Sequence, residues 1–539
     1  MTYTAHIDTF ARDNLPPRAL WPEFIFELPE LSYPERFNCA TELLDRAVDR
    51  GWGERAAVLA PGGLRWSYAQ LLAAANRIAN VLVEDMGLVP GNRVLLRAPN
   101  SPMMAACWYA VVKAGAIAVG TMPLLRAKEL TDIVTKAQVS HALCDGRLAA
   151  ELDSVLGACP TLKQVAYFDG DVNDGLEDRM QAKSETFANV LTAPDDTCLI
   201  AFTSGTTGKP KGTMHFHRDV LAACDCWPRS TLRASADDVF GGSPPLAFTF
   251  GLGGLLVFPM RIGAATLLLE RPAPDALLAA IGEHRVSVLF TAPTSYRAMA
   301  AHARQFGLAS LRKCVSAGEP LPAATRKLWK DATGIEIIDG IGATEMLHIF
   351  ISADEAHSRP GAMGKPVPGY RACVMDDAGN PLPAGRIGRL AVKGPTGCRY
   401  LADSRQTAYV TGGWNYTGDS CMVDQDGYFV FQARSDDMII SAGYNIAGPE
   451  VESALLAHTK VADCGVVGSP DEERGQIVKA FVVLREGVQE SPALVKELQD
   501  FVKQAIAPYK YPRDVEFRKS LPRTESGKLQ RYKLRAGRW

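Results

Sequence analysis

Helix-type and strand-type patterning alternates along the early part of this chain, and that alternation restricts the folds open to it. Ser67 can cap a helix in which Leu71, Ala75, Ile78 and Leu82 recur at helical spacing. Gly87 and the Pro90–Gly91 pair end it, and Arg93–Leu96 reads as a strand. A helix over Met103–Lys113, a small apolar strand near Ala116–Val119, a helix over Lys128–Ala137 and a strand ending at Cys144 follow. The pattern resumes from Ala276, with strands at Val286–Phe290 and Leu311–Val315. Repeated strand–helix–strand units imply parallel sheet covered by helices. Beyond about residue 365 the segments become short, alternating and rich in Gly and Pro (RACVMDD, GRLAVKG, GYFVFQ), the texture of a β-rich subdomain. A compact last unit combines a helix over Pro449–Leu456, strands at Asp463–Val467 and Lys479–Leu484, and a helix through Ala493–Ala505. A boundary near Arg434–Asp437 divides the chain into a large α/β domain, residues 1–433, and a small α+β domain, residues 434–539.

Composition removes several function classes. With 58 basic against 60 acidic residues the net charge is −2, so bulk charge does not attract nucleic acid. MTYTAHIDTFARDNLPP at the N-terminus lacks the apolar stretch of a secretory signal. The longest apolar run, Pro244–Met260, is short and interrupted by Gly and Pro. It reads as core strand and loop rather than a membrane helix. The 12 cysteines are scattered singly, apart from Cys224 and Cys226, with no histidines at zinc spacing. Reduced thiols of a cytoplasmic protein are expected.

Residues 203–212, TSGTTGKPKG, follow an apolar segment (CLIAFT) that reads as a buried strand. The Walker spacing G-x-x-x-x-G-K-[ST] fails here, because Gly205 and Gly208 are too close and Pro210 follows Lys209. The chemistry of a phosphate cradle remains. Glycines let backbone amides turn inward, Thr203, Ser204, Thr206 and Thr207 offer hydroxyls, and Lys209 and Lys211 offer charge. A flexible polar turn is the plainer alternative. The last thirty residues carry ten basic side chains against Asp514, Glu516 and Glu525, which suits either a solvated tail or a lid over phosphates. No G-x-S-x-G elbow or H-E-x-x-H helix offers a nucleophile or a zinc site.

Downstream stand SAGEPLP (316–322), DGIGATE (339–345), YTGD (416–419), ARSDDMIISAGYNI (433–446) and PRTESGKLQR (522–531). In this order, with the loop, they resemble the adenylate-forming superfamily of acyl- and aryl-CoA ligases, adenylation domains and beetle luciferases, over roughly residues 30 to 535. The resemblance implies activation of a carboxylate by ATP as an acyl-adenylate, then transfer to a thiol, with Mg²⁺ and coenzyme A. It places the β- and γ-phosphates at Thr203, Ser204, Gly205, Thr206, Thr207, Gly208 and Lys209. Thr344 and Glu345 match the T-E pair, Glu345 being the Mg²⁺ ligand. Asp419 matches the aspartate for the ribose hydroxyls, Arg434 the arginine beside them, and Lys528 the catalytic lysine. Gly318, Glu319 and Pro320 would form the adenine wall with Asp339, Gly340 and Ile341, where many relatives carry an aromatic in place of Ile341. Asp436 resembles the hinge of a mobile C-terminal domain, and Gly443 the loop lining the CoA tunnel.

The acid's pocket is expected from PPLAFTFGLGGLL (244–256) and ATEMLHIF (343–350). Phe248 matches the gating aromatic, Phe250 would face the acid, Ala317 and Ala343 leave room for a flat ring, and His348 would be a polar contact at the far end. Phe248, Phe250 and His348 are equally consistent with ordinary core. DGIGATEMLHIF and FGLGG look most like the benzoate and 2-aminobenzoate ligases, and DNLPPRALWPEF and MHFHRD closer to the 2-aminobenzoate members. The expectation is a monomeric or homodimeric aryl-CoA ligase for 2-aminobenzoate, with benzoate or a hydroxybenzoate as alternatives. A stand-alone protein loading a carrier-protein thiol remains a further one.

Overall fold

The computed structural model describes residues 3–537 apart from 171–173, 204–209, 435–436, 442–443, 472–473, 507 and 525–526. The helix expected after Ser67 runs Tyr68–Asn80. Its start is a capping box: Ser67 Oγ accepts the Gln70 N–H at 3.2 Å and Gln70 Oε1 accepts the Ser67 N–H at 2.8 Å. Such a cap is worth about 1 kcal/mol. Helix Pro102–Lys113 is buried along its whole length and shares one apolar core with Tyr68–Asn80.

Six strands form one sheet in the order Gln164–Phe168, His141–Asp145, Arg93–Arg97, Ile117–Thr121, Thr197–Thr203, Lys211–Phe216. Neighbours are parallel except the last two, which pair as an antiparallel hairpin. A nine-stranded sheet is parallel through its middle, where Ile337–Gly342, Lys313–Ser316, Val288–Thr291 and Val239–Gly242 lie side by side, and antiparallel at both edges. The β-rich texture after residue 365 becomes an antiparallel sheet that includes Arg371–Met375, Ile387–Lys393, Trp414–Val423 and Phe429–Arg434. The C-terminal unit has its own five-stranded sheet, on which Gly448–Leu456 and Pro492–Ala505 bury Val451, Leu455, Leu498 and Val502. The expected α/β class, with a large N-terminal and a smaller C-terminal domain, is what the chain adopts.

One segment differs. Pro244–Met260 is not strand and loop: Thr249–Leu252, Gly253–Val257 and Phe258–Ile262 are consecutive helical segments. Glycine lowers helix propensity and erases the apolar period, yet complete burial around Leu255 and Leu256 overrides it. Among the described residues no helix is long and apolar enough to cross a membrane.

Candidate active site

The hairpin Thr197–Thr203/Lys211–Phe216 pairs Thr203 with Lys211 and so holds the 204–209 loop at its tip. Ser204, Gly205, Thr206, Thr207, Gly208 and Lys209 lie outside the described residues, as do Asp436 and Gly443. At the rim of the loop, Lys211 Nζ donates to the Tyr400 hydroxyl at 2.9 Å and stands 3.4 Å from Glu345 Oε1. Tyr400 in turn donates to Glu345. Burial and the Glu345 charge push the Tyr400 phenol far up, so it stays a donor. Glu345 sits in a short 3₁₀ turn, Thr344–Met346, whose Thr344 carbonyl is bonded to His215 Nε2 at 2.8 Å. Two residues of one strand, Lys211 and His215, therefore brace that strand against the Thr344–Glu345 pair.

Parallel strands deliver the next group. Lys313–Ser316 and Ile337–Gly342 run side by side with Ser316 opposite Asp339. Ala317–Pro320 follow the carboxyl end of the first strand, and Gly340–Ile341 form the last part of the second, so both groups lie at the carboxyl edge of the parallel sheet, the usual ligand position. Gly318 adopts φ +92°, and a Cβ there would lie 3.6 Å from Lys528 Cε. Burial raises Asp339 to about 7 against the pull of Arg326. Asp419 and Arg434 face each other across neighbouring strands, with Nη1 3.1 Å from Oδ1. Burial raises the Asp419 carboxyl while Arg434 opposes it.

The C-terminal domain closes over this crevice. Arg523 bridges the domains, donating to Glu319 Oε1 at 3.1 Å and to both oxygens of Asp463. Arg297 donates across the same seam to the carbonyls of Val461 and Ala462. Lys528 follows a tight turn in which its N–H reaches Thr524 Oγ1 at 3.0 Å. Its ammonium is crowded by protein, which lowers its pKa. Glu319, Asp419 and Glu345 pull it back up and Arg434 adds to the fall. Burial pushes Glu319 up to about 7, with Arg523 and Lys528 opposing. The fold thus gathers Lys528, Gly318, Glu319, Asp419, Arg434 and Glu345 from positions scattered over two hundred residues.

Behind Glu345 lies an aromatic box. His348 is buried, and its ring centroid lies 4.5 Å from Phe258 and 5.5 Å from both Phe250 and Trp227, with Phe290 at 6.4 Å. Neither ring nitrogen makes a hydrogen bond of good geometry, although the Phe250 backbone carbonyl lies close enough to act on the ring. Burial pushes the imidazole down to about 3, so it is neutral, with one N–H and one acceptor nitrogen. Gly253 makes the box possible: a Cβ there would meet the His348 ring at 2.4 Å. Phe248 is half-buried just ahead of Thr249–Leu252; Ala317 is buried and Ala343 half-buried, both against the same core. Tyr400, Arg523, Trp227, Phe258 and Phe290 also reach these places but carry no motif of their own. Arg523 alone had a signal, lying within PRTESGKLQR.

The donor set suits a hard cation carrying phosphates. Glu345 offers carboxylate oxygen beside Lys211, and the Thr203 hydroxyl is buried without a partner at the mouth of the loop. The chain belongs to the AMP-binding enzyme family: residues 44–400 match the family and residues 450–528 its C-terminal domain. It is 36% identical over 514 residues to the benzoate–CoA ligase of Thauera aromatica, covering 94% of this chain and 97% of that one. Its structure resembles the anthranilate CoA ligase AuaEII in complex with anthranoyl-AMP (TM-score 0.90, 35% identity, 95% of this chain and 99% of that). It also resembles a benzoate CoA ligase from Burkholderia xenovorans LB400 (TM-score 0.85, 31% identity, 93% of this chain and 100% of that). The protein is an acid–thiol ligase, an AMP-forming acyl- or aryl-CoA synthetase that uses ATP, Mg²⁺ and coenzyme A with a carboxylic acid.

Proposed function

We propose that the acid is 2-aminobenzoate (anthranilate). The observation that carries this is His348, a neutral imidazole with both nitrogens unpartnered inside a wall of rings. An unmade hydrogen bond on a buried polar group costs about 1–3 kcal/mol. A flat ring with a polar substituent offsets that cost, whereas unsubstituted benzoate leaves it standing. The 35% identity to an anthranilate CoA ligase adds support. Benzoate, favoured by the Thauera relative, is the second reading.

Adenylation joins the carboxylate to the α-phosphorus and releases pyrophosphate; the CoA thiol then displaces AMP. No side chain forms a covalent bond, so the residues act by position and charge. The 203–209 loop and Lys211 grip the β- and γ-phosphates. Glu345, steadied by Tyr400, supplies the oxygen for Mg²⁺, and Thr344 stands beside it. Asp419 accepts the ribose hydroxyls with Arg434 alongside. Gly318–Pro320 and Asp339–Ile341 flank adenine, Ile341 by aliphatic packing. Lys528 neutralises charge between carboxylate and α-phosphate. Phe248, Phe250, Ala317 and Ala343 enclose the aryl ring. After adenylation the domain from residue 434 turns about Asp436, withdraws Lys528 and brings the Gly443 loop to the thiol. Twelve free cysteines fit a cytoplasmic enzyme.

The deciding experiment incubates the enzyme with ATP, Mg²⁺, CoA and a panel of aryl acids, following AMP and thioester. The highest kcat/KM is expected with 2-aminobenzoate. A tenfold preference for benzoate overturns the substrate, and AMP release that ignores CoA but requires an added carrier protein overturns the acceptor.

A further inference from the structure

His217, in the MHFHRD segment, belongs to a second group of side chains that the ligase chemistry does not use. His217 is the first residue of helix His217–Asp225, directly after the strand that returns from the phosphate loop. Cys198 lies on the outgoing strand, Thr197–Thr203, and Cys39 in the N-terminal segment ahead of Thr41–Asp45. All three side chains are fully buried. Their ligand atoms lie within 4.8 Å of one another, with Cys39 Sγ 3.3 Å from His217 Nδ1.

We propose that Cys39, Cys198 and His217 form a binding site for Zn²⁺, which clamps the base of the phosphate-loop hairpin to the N-terminal segment. For zinc with sulfur at about 2.3 Å and nitrogen at about 2.0–2.1 Å, tetrahedral edges are about 3.8 Å between sulfurs and about 3.6 Å from sulfur to nitrogen. Cys39 Sγ and His217 Nδ1, 3.3 Å apart, are already near that edge, and all three ligand atoms lie within 4.8 Å of one another, so small side-chain shifts bring them around an ion. Nδ1 accepts the Cys39 N–H at 3.1 Å, which leaves it an unprotonated nitrogen aimed at the sulfurs. The ion takes the place of the amide and thiol protons that this lone pair now meets.

Charge selects the ion. Two thiolates, a neutral imidazole and Zn²⁺ sum to zero, the condition that makes burial of a charged set cheapest; a monovalent thiophilic ion would leave −1 in the core. Binding expels one proton from each thiol to solvent. The surroundings hold an unused imidazole as well: His6 Nε2 and His217 Nε2 are both buried without partners, and the two rings act on each other electrostatically.

The test titrates reduced, metal-free full-length enzyme with Co²⁺ in excess Mg²⁺, then with Zn²⁺. One Co²⁺ per chain is expected, with the near-ultraviolet band of thiolate-to-cobalt charge transfer, displaced by one equivalent of Zn²⁺. Cys39→Ser and Cys198→Ala should each weaken binding by about 100-fold or more. Cys373→Ser, at the only cysteine that is not buried, should leave it unchanged. Zn²⁺ should also raise the melting temperature of the unmutated protein, a readout that survives if a variant fails to fold. Absence of the band and of the melting shift overturns the proposal. So does a band that persists in Cys39→Ser and disappears in Cys373→Ser.

Discussion

The two ends of the active-site cleft treat their polar groups in opposite ways. Around Glu345 and Glu319 each acid faces a cation or a hydroxyl: Lys211 and Tyr400 at one, Arg523 at the other. At the far end His348 faces rings on four sides, with the Phe250 backbone carbonyl as the one polar group acting on it and no charged or hydroxyl partner among the described residues. Paired acids and bases make a site for a ligand that brings many charges and must be held in register. An unpaired neutral imidazole among aromatics makes a site that waits for one hydrogen bond. The phosphate end is therefore expected to govern rate, and the aromatic end choice of acid.

Replacing Lys528 gives the strongest test of that division. Lys528→Ala should cut adenylate formation by about 10²–10³-fold, the scale for loss of one charge-stabilising group. Thioester formation from supplied acyl-adenylate should change little. An equal loss in both half-reactions would break the division.

At the other end, His348→Phe should lower kcat/KM for 2-aminobenzoate by about 10–100-fold and for benzoate far less, in line with one substituent contact worth about 1–3 kcal/mol. A uniform loss for both acids would reduce His348 to a packing residue.

The two ends should also differ in pH response. Glu319 titrates near 7, so its ion pair with Arg523 is present above that pH and lost below it. Adenylation should rise as pH climbs through 7, and Glu319→Gln should flatten the profile. The linkage to folding has the opposite sign. An acid whose pKa is raised from 4.5 favours the folded state most below 4.5, and that share fades as pH rises through 7. His348, titrating near 3, should leave the preference between acids flat from pH 5 to 8.

The smallest effect belongs to Tyr400→Phe. It removes one hydrogen bond to a carboxylate, worth about 1.5–3 kcal/mol, with Lys211 still in place. Activity should fall about tenfold, the low end of that range, chiefly as weaker apparent affinity for Mg²⁺ in a metal titration.

Much of the ATP end was legible because its residues come in short runs. Gly318 and Glu319 share one turn, Thr344 and Glu345 another, and Asp419 and Arg434 meet by strand register. The helix after Ser67 was legible for a similar reason, since a cap and an apolar period are local. Pro244–Met260 was misread as strand and loop because three glycines and three prolines hide the period of a helix stabilised by packing. The box around His348 was only half visible: Phe250 was anticipated, whereas Trp227, Phe258 and Phe290 are core aromatics with no mark in the chain.

By itself the sequence determined the alternating α/β order, the β-rich insertion, the two-part division and the reaction type. The first three depend on side-chain period, capping and turn chemistry, which act over a few residues, whereas the reaction type came from the resemblance of the ordered motifs to a known family. Tertiary structure alone decided that Tyr400 would steady Glu345, that Arg523 would bridge Asp463 to Glu319, and that Cys39, Cys198 and His217 would meet. Such contacts join residues up to 204 positions apart, and strand order rather than local pattern sets them.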